Sequence, residues 1–506
     1  MTLIVETSAG PVRGARAGDL TVFRGIPYAR PPLDELRFRA PEPTVPWSEV
    51  RDAGAFGPVC VQPTDMVSTM LGFPVEPSSE DCLTINVWTP GADGQRRPVL
   101  VWVHGGAFVV GSGSRPLTDA TALASRGQVV VVSFNYRLGP LGFLYLGEHG
   151  GERLGAVPNV GLLDQVAALE WVQREIAAFG GDADNVTVFG ESAGAVSVAA
   201  LLALPHARGL FRRAILQSGS ANLVAPPARA AGVAEALLQQ LGIGPGRSAD
   251  LRRVPATHLL EAQIRLLTAP PPEAGGLPFQ PVVDGQVLAR DPFELIRAGC
   301  ARDVPLLIGT TLDEMKLFDL LDPRVRELDA EALLRRCQRT LGADAVRAIE
   351  LYRTQRRQRG ASDAPPDLWS ALESDRLMRA PAMRLAALQA ALQPDVYAYL
   401  FTWPSPYLNG ALGACHALDI PFVFGTLDEP RLVPFAGDGP DARRLAHRMQ
   451  DAWAAFARSG DPHHDGLPAW PRYERVHRST MLLGRECGVA DAPYEAERAF
   501  WASSAW

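Results

Sequence analysis

Long apolar runs are missing from this 506-residue chain. The densest, "VVVVSF" at 129–134, is strand length and far short of the ~20 residues that cross a bilayer. An excess of basic charge is missing too: 49 Lys and Arg face 56 Asp and Glu, a net charge of −7, which leaves no footprint for nucleic acid. Cysteines are few (Cys60, Cys82, Cys300, Cys337, Cys415 and Cys487) and none form a C-x-x-C pair, against a zinc framework or a disulfide scaffold. Cys60 and Cys82 could close a short loop, and in a reducing compartment are expected to stay thiols. Repeats and low-complexity linkers are absent. The start, "MTLIVETSAGPVRG", has no basic segment, long apolar stretch or small-residue cleavage site and reads as strand and turn. A cytoplasmic protein without metal, cofactor, nucleic-acid or membrane partner is expected, its oligomeric state open.

What is present is an ordinary globular composition, 47% hydrophobic and 21% charged. The length allows two or three domains, or one large α/β domain with insertions. Pro/Gly-rich patches at 269–278 and 430–440 read as surface loops and not as joints. Short strands are expected at 21–29, 83–90, 97–108 and 128–137. From 159 the spacing of Leu162, Leu163, Val166, Leu169 and Val172 turns helical and closes at Gly180-Gly181. Further strands are expected at 213–220, 304–314 and 395–403. Strands alternating with helices predict an α/β protein with a mostly parallel sheet covered on both faces, ligands gathering beyond the carboxyl ends of its strands.

One stretch, "VTVFGESAGAVSVAALL" at 186–202, runs from a strand through Gly190-Glu191-Ser192-Ala193-Gly194 into a helix. G-x-S-x-G in that context is a nucleophile elbow, with small residues where side chains would strike the neighbouring backbone. A serine hydroxyl is a weak nucleophile and needs a base, a group to orient it, and oxyanion donors. "VWVHGGAF" supplies the donors: after a buried strand, the N–H groups of Gly106 and Ala107 join that of Ala193. The nucleophile–acid–base order calls for a late histidine. His416, among small residues in "LGACHALDIPFVFG", fits better than His463 and His464 in a turn-rich loop or His447 and His477 in arginine-rich surroundings. His104 comes too early and reads as structural. The acid falls at Asp313-Glu314, and spacing does not separate the two.

These motifs, with "FRGIPYARPPLDELRFRAPEP", "SEDCLTINVWTP", "FNYRLGPLGF", "AILQSGS", "PVVDG" and "LLIGTTLDE", stand in an order that resembles the type-B carboxylesterase family of p-nitrobenzyl esterases and cholinesterase-like α/β-hydrolases. The resemblance spans nearly the whole chain. It implies one α/β-hydrolase domain over 1–506 with long insertions above the site. It also implies that Ser192 is the nucleophile, His416 the base and Glu314, not Asp313, the acid, with Gly106, Ala107 and Ala193 as oxyanion donors. Glu191 matches an acidic residue beside the nucleophile, and Ser218 a hydroxyl near the acid–base pair. Asp34 and Met315 depart from glycines common in the family, and Ala107 from a third glycine.

The implied activity is serine carboxylesterase, acting on esters of short to medium acyl chains, with water, through an acyl-enzyme. The small-residue oxyanion loop resembles that of esterases accepting bulky tertiary alcohols. No tryptophan lies between Cys60 and Cys82, where cholinesterases hold choline over an indole, and Phe73 is the aromatic present. Choline-ester specificity is therefore not expected. Gly275, Gly276 and Leu277 stand where cholinesterases carry bulky acyl-pocket aromatics, so a wider pocket is expected, walled by Phe73, Phe108, Leu277, Phe279, Leu317 and Phe318. Two alternatives use the same features: a carbamate, amide or polyester hydrolase with the same triad, and a non-catalytic cholinesterase-like binding module.

Overall fold

Alternating burial builds the centre of this protein, whose computed structural model describes residues 3–268, 276–320 and 322–503. In "RPVLVWV", Val99, Val101 and Val103 enter one hydrophobic core while Leu100 and Trp102 enter another. Successive side chains of a strand point to opposite faces, so this segment separates two cores and must be a central strand.

The large sheet has eleven strands. In chain order they are β1 (Ala15–Ala17), β2 (Leu20–Pro27), β3 (Thr84–Thr89), β4 (Arg97–Val103), β5 (Val130–Phe134), β6 (Gly181–Glu191), β7 (Arg213–Gln217), β8 (Leu306–Thr311), β9 (Val396–Phe401), β10 (Thr480–Leu483) and β11 (Gly488–Ala490). Their spatial order is β11-β10-β9-β8-β7-β6-β4-β5-β3-β2-β1. The run from β10 to β5 is parallel. Both edges, β11 on one side and β3-β2-β1 on the other, are antiparallel. The expected strands lie where the sequence put them, and the family's α/β-hydrolase architecture is seen: a mixed sheet with a parallel centre and helices on both faces. The N-terminal strand and turn form a hairpin, Ile4–Thr7 with Gly10–Arg13, which belongs to a separate small sheet.

Helices α1 (Val160–Glu175) and α2 (Ala193–Ala203) cover one face. Every residue of α2 is buried, as its sequence AGAVSVAALLA requires of a helix apolar all round. Helix α3 (Ala380–Ala390) lies on the same side. The other face is covered by α4 (Pro440–Ser459), whose Leu445, Met449, Trp453 and Phe456 form a helical stripe against the sheet. The patch at 430–440 is less of a surface loop than its composition implies, because Leu432, Phe435 and Ala436 are buried. Residues 269–275, including Gly275, lie outside the described residues. Cys60 and Cys82 are buried free thiols, and Cys60 Sγ accepts a hydrogen bond from the Leu138 N–H at 3.3 Å. No helix among the described residues is long and apolar enough to cross a membrane.

Candidate active site

Four strands of the parallel centre, β4, β6, β8 and β9, deliver the site from their carboxyl ends. β6 ends at Glu191, one residue before Ser192, which starts α2 with φ 56° and ψ −125°. A non-glycine residue in this region carries about 1–3 kcal/mol of strain. The strain is held on both sides: Ser192 N–H donates to the Gln217 carbonyl on β7 at 2.9 Å, and its own carbonyl accepts from Val196 N–H at 3.0 Å. The flanking glycines are required by contact. A Cβ on Gly190 would stand 2.8 Å from the Val103 carbonyl oxygen, and one on Gly194 would overlap that same oxygen. The hydroxyl of Ser192 is thereby held half-buried on a cavity wall.

Beyond β4 the chain turns sharply. Gly106, Ala107 and Phe108 have φ of 114°, 54° and 61°. The N–H groups of Gly106, Ala107 and Ala193 donate to no acceptor among the described residues. Gly106, Ala107 and Ser192 line the same cavity, so spare donors and hydroxyl share one small space. His104, just before, stacks on Tyr136 with ring centroids 4.3 Å apart, and burial lowers it to about 3.

β8 ends at Thr311, and its successor segment resolves the two carboxylates. Glu314, fully buried, accepts from Thr311 N–H through Oε1 at 2.8 Å and meets His416 Nδ1 through Oε2 at 2.6 Å. Asp313 has another task. Its N–H donates to the Ala414 carbonyl at 2.8 Å and its Oδ2 accepts from Ala414 N–H at 3.0 Å. Asp313 thus clasps the loop that brings His416 from the end of β9.

His416 Nε2 lies 3.1 Å from Glu191 Oε1, and Ser192 Oγ makes no hydrogen bond within the described residues. Burial disfavours the imidazolium, but the carboxylates of Glu191 and Glu314 on either side more than offset this and push His416 up to about 9. Burial likewise pushes Glu191 up to about 8, with His416 opposing. A base must be unprotonated, so the charge of Glu191 moves the acid limb of any His416-dependent rate upward. Glu191→Gln removes that charge and is expected to shift the acid limb of kcat/KM down by about one pH unit. A pH-stat titration of phenyl butyrate hydrolysis reads the limb directly; an unmoved or raised limb would refute this coupling.

The cavity, about 180 Å³, is otherwise walled by Met66, Val67, Trp102, Leu117, Leu317, Phe318 and Ile420, with Asp65 and Arg115 paired at 2.9 Å. The Phe318 ring stands 5.3 Å from that of His416. Four expected wall residues lie elsewhere. Phe108 is turned into the core by the left-handed backbone at Ala107 and Phe108, edge-on to Phe143 at 4.9 Å. Phe279 is buried in the same core. Leu277 is engaged locally, its N–H donating to Gln280 and its carbonyl accepting from Arg229, both through side chains. Phe73 packs on the opposite core under the Arg431 guanidinium, 5.5 Å from its ring. Ser218 follows β7 with φ 50°; its hydroxyl is buried without a partner among the described residues and does not line the cavity.

Sequence reasoning missed Asp419. It is fully buried three residues beyond His416, accepts from Gln217 Nε2 at 3.0 Å and Tyr399 OH at 2.9 Å through Oδ2, and is raised to about 6 by burial. The signal was a carboxylate inside the apolar stretch "ALDIPFVFG".

The carboxylesterase family model matches residues 1–501. The chain is 41% identical to para-nitrobenzyl esterase of Bacillus subtilis (strain 168), over 98% of this chain and 97% of that one. It is 39% identical to phenmedipham hydrolase of Pseudarthrobacter oxydans, over 96% and 95%. Among solved structures, a carboxylesterase of Geobacillus stearothermophilus superposes with a TM-score of 0.89 at 43% identity, covering 99% of this chain and all of that one.

Proposed function

The chain belongs to the carboxylesterase family and is a carboxylic ester hydrolase, and on that premise we propose that Ser192, His416 and Glu314 carry the reaction. The observation that carries this assignment is convergence: one cavity holds the strained serine, a histidine fixed by a buried carboxylate at 2.6 Å, and unused amide donors. Glu314 accepts the Nδ1 proton of His416, leaving the lone pair on Nε2 for the Ser192 hydroxyl. As Oγ attacks the ester carbonyl, the proton passes to Nε2 and the carbonyl oxygen becomes an oxyanion. The N–H groups of Gly106, Ala107 and Ala193 stabilise that charge, each worth about 3–4 kcal/mol in the transition state. His416 then protonates the departing alcohol, and water repeats the sequence on the acyl-enzyme to release the acid.

The walls set the substrate. Trp102, Leu117, Leu317, Phe318 and Ile420 offer apolar surface to a neutral ester with a bulky or aromatic alcohol. The test is a comparison of kcat/KM on matched phenyl butyrate, phenyl carbamate and butyranilide, alongside p-nitrophenyl esters of rising acyl length. Esters are expected to be turned over fastest, with a maximum at short to medium acyl chains. Faster turnover of the carbamate or anilide would overturn the ester assignment of this cavity.

A further inference from the structure

A second groove lies away from the catalytic cavity. The C-terminal helix α5 (Glu495–Ser503) packs against α3, and a groove of about 660 Å³ runs between them and the segment around Tyr473. Five arginines line it, Arg297, Arg384, Arg475, Arg478 and Arg498, and its lining includes no aspartate or glutamate. This concentration stands out in a chain of net charge −7.

Glu495, at the margin, pairs with Arg478 at 3.4 Å and Arg498 at 2.7 Å. Arg297, Arg384 and Arg475 have no carboxylate partner among the described residues. Arg384 is held over the Phe293 ring at 4.4 Å, which restricts its swing before any ligand arrives. Between the cations the floor is apolar, built from Met383, Ala387, Leu388 and Tyr473. At one end the groove adjoins a narrow recess whose lining includes Thr310, Asp375, Arg379 and Glu495, so carboxylates enter only there and not in the groove.

Unneutralised guanidinium groups repel one another, and an oxyanion with two acceptor oxygens relieves this through paired N–H donors. Charge alone would suit any small anion; the apolar floor adds a demand for a tail. We propose that this groove binds a monomeric anionic amphiphile, a carboxylate or phosphate head group on an alkyl chain, with the head among Arg297, Arg384 and Arg475 and the tail along Met383, Leu388 and Tyr473.

Isothermal titration calorimetry tests it, using decanoate and decyl phosphate below their micelle-forming concentrations. Wild type is compared with an Arg384→Glu/Arg475→Glu variant. Both positions are exposed, so reversal buries no charge; an unchanged Tm and unchanged p-nitrophenyl butyrate turnover verify the variant. Binding at the catalytic cavity appears equally in both proteins. The groove component is expected in wild type and weakened about tenfold or more in the variant. Decanol, with no charge, and acetate, with no tail, are expected to lack that component. Superimposable isotherms for the two proteins would overturn the proposal, as would equal binding of decanol or acetate. Charge-dependent sedimentation with phosphatidylglycerol vesicles, without a decanoate component, would replace it with a membrane surface.

Discussion

Ser192→Ala is expected to lower kcat/KM for p-nitrophenyl butyrate by about 10⁴-fold or more while leaving the fold intact. The activity falls because the hydroxyl is the group proposed to bond to carbon. The fold survives because alanine keeps the Cβ and meets the same left-handed backbone at φ 56° that serine already occupies. The main-chain ties that hold the turn, to Gln217 and Val196, do not involve the side chain. Residual turnover is expected to reflect the three amide donors and the cavity alone. The check is a side-by-side rate measurement with matched circular dichroism and Tm. A variant that keeps a tenth of the wild-type rate would remove Ser192 from the chemistry.

Glu314→Gln is expected to cost about 10³–10⁴-fold in kcat with little change in KM. Glutamine preserves shape and buried volume and differs in its hydrogens. The two Glu314 oxygens accept from Thr311 N–H and face His416 Nδ1. Glutamine has a single oxygen. If that oxygen stays on Thr311, its amide NH₂ faces Nδ1 and selects the tautomer with the proton on Nε2. The imidazole then has no lone pair for Ser192. If the oxygen instead faces His416, the NH₂ meets the Thr311 N–H, two donors in a buried site. Either arrangement impairs the base. A kcat within tenfold of wild type, with the substitution verified by mass spectrometry, would show that Glu314 does not set the imidazole.

What could be read from the sequence divides by how locally each feature is specified. The elbow at Ser192 and the turn at Gly106-Ala107 are encoded within a few residues by backbone sterics. The parallel strands, Arg213–Gln217 and Leu306–Thr311 among them, announce themselves as short apolar runs with helices between. The choice between Asp313 and Glu314 was not legible by spacing, because both follow one strand end and their difference is direction: Asp313 turns to Ala414 and Glu314 to His416. The cavity wall was least legible. Met66, Trp102, Leu117 and Ile420 come from distant segments and converge only after packing. Phe108 was misplaced because three successive positive φ values, at Gly106, Ala107 and Phe108 itself, reverse the chain and turn its ring from the cavity. Nor did composition reveal the antiparallel edges, because an apolar run marks a strand and not the direction in which it pairs.

The clasp between Asp313 and Ala414 joins residues 101 positions apart, and the proposed catalytic groups descend from strands whose neighbours are set by the whole sheet. Such contacts are slow to form because long loops must close before they repay their entropy. A partly assembled chain can form the local turns but not the pairing of Glu314 with His416, so it holds no working site. Recovery of hydrolysis during refolding should trail the return of secondary structure, making the enzyme's own turnover a reporter of completed topology.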